Sequence, residues 1–203
     1  MALNTYAALQ TALATWLDVA TADLSSTVAD LVTVGESRIF REARTKDMET
    51  ALSVAISSGV AALPTGYLDL KFAYIDGSPT YHLQRKSPEW IYLNYPVRAA
   101  QGTPQFIARE GANFIFGPYP SSSYTVKGIF YKNIGPLSTS AHALFTSNPD
   151  LYLFACLAES ELVIGRDKRV PLWEAKYQKI LSDVNNQDKR EGNSGSVLQV
   201  RAA

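Results

Sequence analysis

The sequence predicts an α+β fold in which N- and C-terminal helices form a helical bundle and a small antiparallel β-sandwich or barrel is inserted between them. Apolar residues recur at helical spacing as far as Arg44, alternate with a period of two between Leu52 and Tyr131, and return to helical spacing after Asn148. Helices, then strands, then helices again are typical of an α+β chain. A polar stretch after residue 190 predicts a flexible C-terminal tail.

Residues 1–50 are predicted to form a helical hairpin. Thr5 is suited to cap the first helix, because its side-chain oxygen can accept from a free N–H of the first turn. The apolar stripe of this helix consists of Tyr6, Leu9, Leu13, Trp16 and Leu17. The second helix runs from about Ser25 to Arg44, and its inward face consists of Val28, Leu31, Val32, Gly35 and Ile39.

Residues 51–147 are predicted to form the β domain. Leu68, Leu70, Phe72 and Tyr74 alternate with more polar residues, which predicts a half-buried strand. The turn signal Asp76-Gly77 leads to a partner strand at Thr80–Leu83. The remaining predicted elements are a hairpin of Gln105–Arg109 with Asn113–Phe116, a strand at Tyr124–Tyr131, and a helical turn that begins at Ser87-Pro88-Glu89.

The helix predicted for Asn148–Gly165 is the element around which the chain is organised. Asn148 and Pro149 are typical of a helix start, and Gly165 is a natural stop. Every side chain from Leu151 to Ala158 is apolar or aromatic, so this helix must be covered on most sides. The run is well short of the roughly 20 residues that cross a bilayer, which favours a buried core or a subunit interface.

Residues 148–190 are predicted to complete the helical domain as a second hairpin. Its last helix has an apolar face that consists of Trp173, Tyr177, Ile180, Leu181 and Val184. The pattern decays beyond Asn185, and residues 191–203 are predicted to be a flexible extension that ends in the short run Val197–Val200.

Composition excludes several classes of protein. The chain has 203 residues with 19 Lys/Arg and 19 Asp/Glu, which argues against wholesale coating of nucleic acid. Residues 1–50 carry four Lys/Arg and seven Asp/Glu, whereas residues 51–147 carry seven and four. Cys156 is the single cysteine, so no intramolecular disulfide can form. No secretory signal is visible, and we expect synthesis in a reducing cytoplasm and no membrane partner.

The motifs that usually carry chemistry are missing from the sequence. His82 and His142 have no neighbour at metal-ligand spacing, and the sequence has no phosphate-binding loop or nucleophile elbow. Cys156 lies among apolar residues, which raise a thiol pKa. Glu159 and Glu161 point in different directions on a helix. We therefore predict no catalytic residue, no metal, no cofactor and no enzyme activity.

Three groups of residues are candidates for interactions. Arg38, Arg41 and Arg44 recur every three residues and could face DNA or a neighbouring subunit, or they could be a solvated helix face paired with Glu36, Glu42 and Asp47. The aromatic residues of the last two helices could be core or a subunit interface: Tyr152, Phe154, Trp173 and Tyr177. The tail could add a strand to a partner or be a frayed terminus, and its candidate residues are Val197, Leu198, Val200 and Arg201.

Several segments form an ordered set along nearly the whole chain: Thr5–Gln10, Trp16–Leu17, Glu36–Arg44, Met48–Glu49, Leu63–Leu68, Asp76–Gly77, Gly102–Pro104, Gly117–Pro120, Tyr131, Asn148–Phe154 and Arg169–Tyr177. Together they resemble the head-to-tail adaptor (connector) proteins of tailed bacteriophages, particularly the short-tailed kind.

The resemblance implies a structural virion protein of the phage neck. Such proteins form a homo-oligomeric ring, usually of twelve subunits, beneath the portal protein, and they offer their other face to tail or nozzle proteins. Double-stranded DNA passes through the lumen during ejection without sequence specificity. The helical part builds the ring, the sheet domain projects outward or toward the tail, and C-terminal extensions contact the portal. The resemblance further implies assembly in the cytoplasm of a host bacterium.

Two other classes of function remain open on the sequence alone. The aromatic β domain and its carboxylates could belong to a virion-associated peptidoglycan hydrolase or a cell-wall-binding module, although aromatic residues at strand spacing more often form core. The arginine series that begins at Arg38 could belong to a DNA-binding regulator.

Overall fold

The computed structural model describes residues 3–18, 25–97, 101–161, 165 and 167–193. It confirms the mixed α+β class, because helices precede and follow a set of strands. The helices are α1 (Tyr6–Leu17), α2 (Ser25–Glu42), α3 (Pro88–Asn94), α4 (Ala143–Ser147), α5 (Pro149–Ala158) and α6 (Val170–Asn193), with a 3₁₀ turn at Lys46–Met48. The strands are β1 (Glu49–Ile56), β2 (Val60–Ala62), β3 (Tyr67–Asp76), β4 (Tyr81–His82), β5 (Gln84–Arg85), β6 (Gln101–Gly102), β7 (Phe106–Glu110), β8 (Asn113–Gly117), β9 (Tyr119–Pro120) and β10 (Tyr124–Lys132).

The chain divides into two compact units. The helical unit consists of Met1–Met48 together with Ile134–Ala203, and the β unit consists of Glu49–Asn133. Residues 134–147, which the sequence analysis grouped with the strands, therefore belong to the helical unit. The reason is burial: Leu144 and Phe145 are fully buried, and the Phe145 ring packs edge-on against Tyr152 at 5.1 Å.

Helix α5 is the centre of the helical unit. It contacts α1, α2, α4 and α6, and its residues Leu151, Tyr152, Ala155, Cys156 and Leu157 have no exposed surface. Because α5 is apolar on nearly every side, only contacts on several sides can remove it from water. All of the apolar residues predicted to face inward from α2 are buried, namely Val28, Leu31, Val32 and Ile39.

The start of α1 is as predicted, whereas both ends of α5 differ. The hydroxyl oxygen of Thr5 accepts from the Ala8 N–H at 3.1 Å. Asn148 precedes α5 without a capping hydrogen bond from its side chain. Helix α5 also ends at Ala158 rather than at Gly165, because the N–H groups of Glu159 and Ser160 turn back to the carbonyls of Cys156 and Leu157.

Helix α6 continues well beyond Asn185, where the sequence predicted a polar segment. The side chains of its last turns hold the backbone that follows α2. The Asn185 Oδ1 accepts from the Arg44 N–H at 3.2 Å, and the Asp188 Oδ2 accepts from the Lys46 N–H at 2.7 Å. Such polar contacts stabilise the helix without an apolar stripe, so hydrophobic periodicity could not reveal them.

The β unit contains two four-stranded sheets that share one hydrophobic core. One sheet has the order β1-β10-β3-β4 and is antiparallel throughout. The other has the order β2-β8-β7-β5, and its β5 pairs with β7 in parallel. Strands β6 and β9 form a further parallel pair, so the domain predicted as antiparallel also contains two short parallel pairs. The shared core includes Leu52, Ile56, Leu70, Ile75 and Val126 from the first sheet and Ile107, Phe114 and Phe116 from the second.

A register shift in β3 reverses the predicted facing of two aromatic residues. Along β10, Ile129 pairs with Phe72 but the next residue pairs with Leu70, so Lys71 is an extra residue in the ladder. Ala73 and Ile75 consequently enter the core, and Phe72 is 39% exposed. On the second sheet, Ile91 of α3 packs against β7 and β8. The helix starts where the sequence predicted, and the hydroxyl of Ser87 accepts from the Trp90 N–H to cap it.

Candidate functional site

Arg38 lies inside a network of carboxylates that joins three parts of the helical unit. Its guanidinium donates to Glu42 of α2 at 3.3 Å, to Glu159 after α5 at 3.0 Å and to Glu174 of α6 at 2.6 Å. Only 12% of its side chain is exposed. Arg38 therefore links α2, α6 and the segment after α5 within one chain.

Tyr177 contacts both Arg38 and Glu42 of this network. The Arg38 guanidinium carbon lies 4.4 Å from the ring centroid, and the tyrosine hydroxyl donates to Glu42 Oε2 at 2.9 Å. Burial and the hydrogen bond to Glu42 raise the pKa of Tyr177, while the hydrogen bond from Arg38 lowers the pKa of Glu174. The network thus joins one guanidinium group to three glutamate side chains and one phenol.

The three arginines of the series occupy different environments. Helix α2 ends at Glu42, so Arg44 lies beyond it and donates to the carbonyls of Phe40 and Ala43 at 3.0 and 2.6 Å. This contact caps the negative end of the helix. Arg41 is exposed and forms no ion pair with any residue in the described part of the chain. The series therefore does not form one continuous basic face.

The candidate aromatic residues of α5 and α6 separate into core and surface. Tyr152 and Tyr177 have no exposed surface, and Trp173 is 3% exposed, so all three belong to the core of the unit. Phe154 is only partly buried. Its ring meets the edge of Trp16 at 6.0 Å, and Trp16, which the sequence predicted to face inward, is 46% exposed.

Trp16 and Phe154 belong to an apolar surface bordered by cations. The Lys176 ammonium lies 5.9 Å from the centroid of the Phe154 ring. Arg169 donates to the Trp16 carbonyl at 3.1 Å and brings the start of α6 to the end of α1. We call Trp16 and Phe154 the aromatic surface pair.

The buried titratable groups of the helical unit are unsuited to catalysis. Cys156 is fully buried, and burial raises the pKa of its thiol. Glu36 is 4% exposed, accepts from the Leu137 N–H at 2.7 Å, and has a pKa raised by burial. His142 lies 3.4 Å from the Tyr152 hydroxyl, and burial lowers the pKa of its imidazole.

Within ranges 3–18, 25–97, 101–161 and 167–193, no group of three His, Cys, Asp or Glu residues could hold a metal ion. No helix among them combines the length and hydropathy needed to cross a bilayer. The tail candidates Val197, Leu198, Val200 and Arg201 lie outside the described residues.

Sequence reasoning missed a basic pocket in the β unit. Arg85, Lys86, Arg109 and Tyr67 line a cavity of about 210 Å³ between β3, β7 and the segment before α3. The adjacent cations Arg85-Lys86 are a local signal that could have suggested the pocket. Arg109 lies on a different strand, so only the fold unites the three.

A family model described as SU10 adaptor protein matches residues 4–201. No curated protein matches the chain at a significant level.

Proposed function

Because this chain belongs to the SU10 adaptor protein family, we propose that it is a structural protein of a tailed-phage particle that joins the head to the tail. The family model covers nearly the whole chain, so both units take part in this role. The family is one of structural proteins rather than enzymes, and the burial of Cys156 agrees with that assignment. The proposed location is the neck of the virion.

The proposed assembly is a ring of identical subunits, twelve in number, beneath the portal protein of a short-tailed phage. Its other face binds tail or nozzle proteins, and double-stranded DNA passes through its lumen without sequence specificity. The balance of 19 cations and 19 anions supports a conduit, because a strongly basic lumen would retain the DNA that must leave.

The aromatic surface pair is the proposed contact between neighbouring subunits. Trp16 is 46% exposed, Phe154 is partly buried, and Leu172 near the start of α6 is 60% exposed. Closed rings bury such apolar residues against a different surface of the next subunit. Tyr152, Trp173 and Tyr177 remain in the core of each subunit and determine its fold.

Arg41 is the member of the arginine series proposed to face DNA or a neighbouring subunit. Its exposed side chain has no ion-pair partner in the described chain, whereas Arg38 and Arg44 are engaged by their own subunit. The tail that contains Val197, Leu198, Val200 and Arg201 is proposed to bind the portal.

Mass measurement and imaging of the chain mixed with its portal protein test the assembly. We expect a symmetric ring on the portal, and a monomer in the absence of the portal is compatible with assembly on that template. A chain that stays monomeric with both the portal and the tail proteins would refute the proposal.

A truncation after Asn193 tests the tail. The shortened chain should fold as the full chain does, since the described helices are intact, but it should co-sediment with the portal less completely. Equal co-sedimentation of the two chains would remove the tail from the proposal and leave the ring in place.

One observation favours a second candidate, the cell-wall-binding module. The Phe72 ring stacks on Tyr74 at 5.4 Å and on His82 at 6.1 Å, on the face of the sheet opposite the core. Stacked exposed rings are suited to the apolar faces of sugars. Retention on purified peptidoglycan that disappears in Phe72→Ala would support this candidate, and no retention would exclude it.

A further inference from the structure

A closed ring requires two different surfaces on each subunit, because the surface that one subunit offers binds another surface on the next. The aromatic surface pair is one proposed side of this contact. Among the described residues, the large apolar side chains that are exposed are Trp16, Phe72, Tyr81, Tyr92, Leu93, Val97 and Leu172. Trp16 and Leu172 belong to the helical unit, and the others belong to the β unit. The β unit therefore supplies the candidates for the second side.

The side of the contact that lies in the helical unit carries positive charge. Leu172 and Lys176 are four residues apart on α6, so they lie on one face of that helix. The Lys176 ammonium lies 5.9 Å from the centroid of the Phe154 ring, beside the aromatic surface pair. It forms no ion pair with any residue that the structure describes. Arg169 is paired with Asp167 at 2.7 Å and adds no net charge.

The outer face of α3 carries the opposite charge. Ile91 packs into the β unit, and Glu89 and Leu93, each two residues away from it, lie on the other side of the helix. Leu93 is 81% exposed, and the hydroxyl of the adjacent Tyr92 donates to the Glu110 carboxylate at 2.9 Å. Neither glutamate forms an ion pair within the described part of the chain. An exposed leucine thus lies close to two carboxylates.

The cations near α3 point away from this face. The Lys86 ammonium lies 5.1 Å from the centroid of the Trp90 ring and 5.9 Å from that of Phe106, so it is held between α3 and β7. Arg109 precedes Glu110 in β7, and successive residues of a strand point to opposite faces of the sheet. The outer face of α3 therefore keeps a local excess of negative charge.

Phe72 and Tyr81 are weaker candidates for the second side. Asp76, which lies on the same face of β3 as Phe72, is paired with Lys127 at 2.6 Å. Strand β4, which contains Tyr81, has no carboxylate. Charge complementarity to Lys176 therefore selects the outer face of α3.

We propose that the outer face of α3 binds the aromatic surface pair of the neighbouring subunit in the ring. Leu93 packs against Phe154 and Leu172 of that subunit, which reduces the apolar surface that all three expose to water. Glu89 accepts a hydrogen bond from its Lys176 at the border of the contact. This inference rests on the proposed ring and names the second side of the contact between its subunits.

Charge reversal on each side, and then on both sides, tests the pairing. Lys176→Glu and Glu89→Lys each place like charges at every subunit contact, so each should raise the protein concentration for half-maximal ring assembly on the portal at least about tenfold. In the double variant every contact again holds one cation and one anion, and assembly should return to within about threefold of the wild type. Both side chains are exposed, so the variants should fold. Mass measurement across a concentration series gives the readout.

Lys127→Glu is the matched control. It changes the net charge by the same amount at a residue outside both surfaces, and half-maximal assembly should stay within about twofold of the wild type. Equal weakening in the control would reduce the effect to net charge and overturn the inference. Wild-type assembly by either single variant, or no recovery in the double variant, would also overturn it while leaving the ring in place. A wild-type chain that forms no ring with its partners would instead refute the ring itself.

A disulfide between subunits provides a second measurement. Leu93→Cys/Leu172→Cys places one thiol on each proposed side, so mild oxidation of rings on the portal should link subunits into a ladder of covalent oligomers. Either single variant should give dimers at most. Cys156 is fully buried and should not take part. Assembled rings of the double variant that yield no ladder would overturn the contact.

Discussion

Replacing Arg38 with methionine should destabilise the helical unit, although its spacing in the arginine series predicted either an interaction surface or a solvated helix face. The change removes hydrogen bonds to Glu42, Glu159 and Glu174 at 3.3, 3.0 and 2.6 Å. Methionine retains an unbranched apolar stem for packing. The loss in the free energy of unfolding therefore measures mainly the contribution of the guanidinium charge and its hydrogen bonds. The three carboxylates would then face one another without a cation.

The magnitude follows from the exposure of the partners. A hydrogen bond to a charged group contributes about 1.5–3 kcal/mol when protected, whereas exposed ion pairs contribute about 0.2–1 kcal/mol. The side chains of Glu42, Glu159 and Glu174 are 34%, 26% and 39% exposed, so we assign each contact an intermediate value. About 1 kcal/mol for each contact gives a loss of about 3 kcal/mol in the free energy of unfolding. For a chain of this length, that corresponds to a fall of roughly 6–12 °C in Tm.

Thermal unfolding followed by circular dichroism measures this loss, and Arg41→Met provides the control. Arg41 carries the same charge three residues later, but it is exposed and has no ion-pair partner among the residues that the structure describes. Its variant should therefore unfold within about 0.5 kcal/mol of the wild type. If both variants unfold at the wild-type temperature, the Arg38 network does not stabilise the helical unit. If both fall equally, net charge rather than the network explains the loss.

The other predictions concern packing, pH and assembly. Gly35→Ala should destabilise by about 1 kcal/mol despite the higher helix propensity of alanine, because the new Cβ would lie 2.8 Å from the Cys156 Sγ; an unchanged or higher Tm would contradict this. Burial lowers the pKa of His142, so the unfolded chain binds more protons below the ordinary value of 6.5 and the free energy of unfolding should fall as pH drops through that window. In His142→Asn, the free energy of unfolding from urea titrations should fall less between about pH 7.5 and about pH 5.5 than it does in the wild type. The raised pKa of Glu36 has the opposite effect, but it acts in both proteins and cancels in their comparison. Equal falls in the two proteins would exclude His142 as the cause. Phe154→Asp should fold but fail to join rings on the portal, as mass measurement would reveal, whereas an unfolded variant would make Phe154 intrachain core.

Local signals predicted the helices and hairpins well. The cap at Thr5 and the helix start at Ser87-Pro88 depend on residues within three positions of each other, and both were confirmed. The register shift that exposes Phe72 was not predictable, because it depends on how β10 pairs with β3. The full length of α6 was missed for a related reason, since Asp188 stabilises its last turns through a contact with Lys46.

The candidate site shows the same division between local and distant information. Their spacing in the sequence does not distinguish Arg38 from Arg41. Their environments differ because Arg38 contacts Glu159 and Glu174, which lie 121 and 136 residues further along the chain. The sequence left open whether Tyr152, Phe154, Trp173 and Tyr177 are core or subunit interface. Which of them reaches the surface depends on the packing of α1 beside α5, and no pattern within either helix contains that information.

The pairing of β1 with β10 places the start and the end of the β unit side by side. Glu49, the first residue of β1, lies opposite Tyr131 near the end of β10, so the chain enters and leaves the β unit on adjacent strands about 4.8 Å apart. A short turn could close that gap, and the cost of closing a longer loop rises only slowly with its length. We therefore expect that a shorter or longer segment between Glu49 and Tyr131 could still begin and end at adjacent positions.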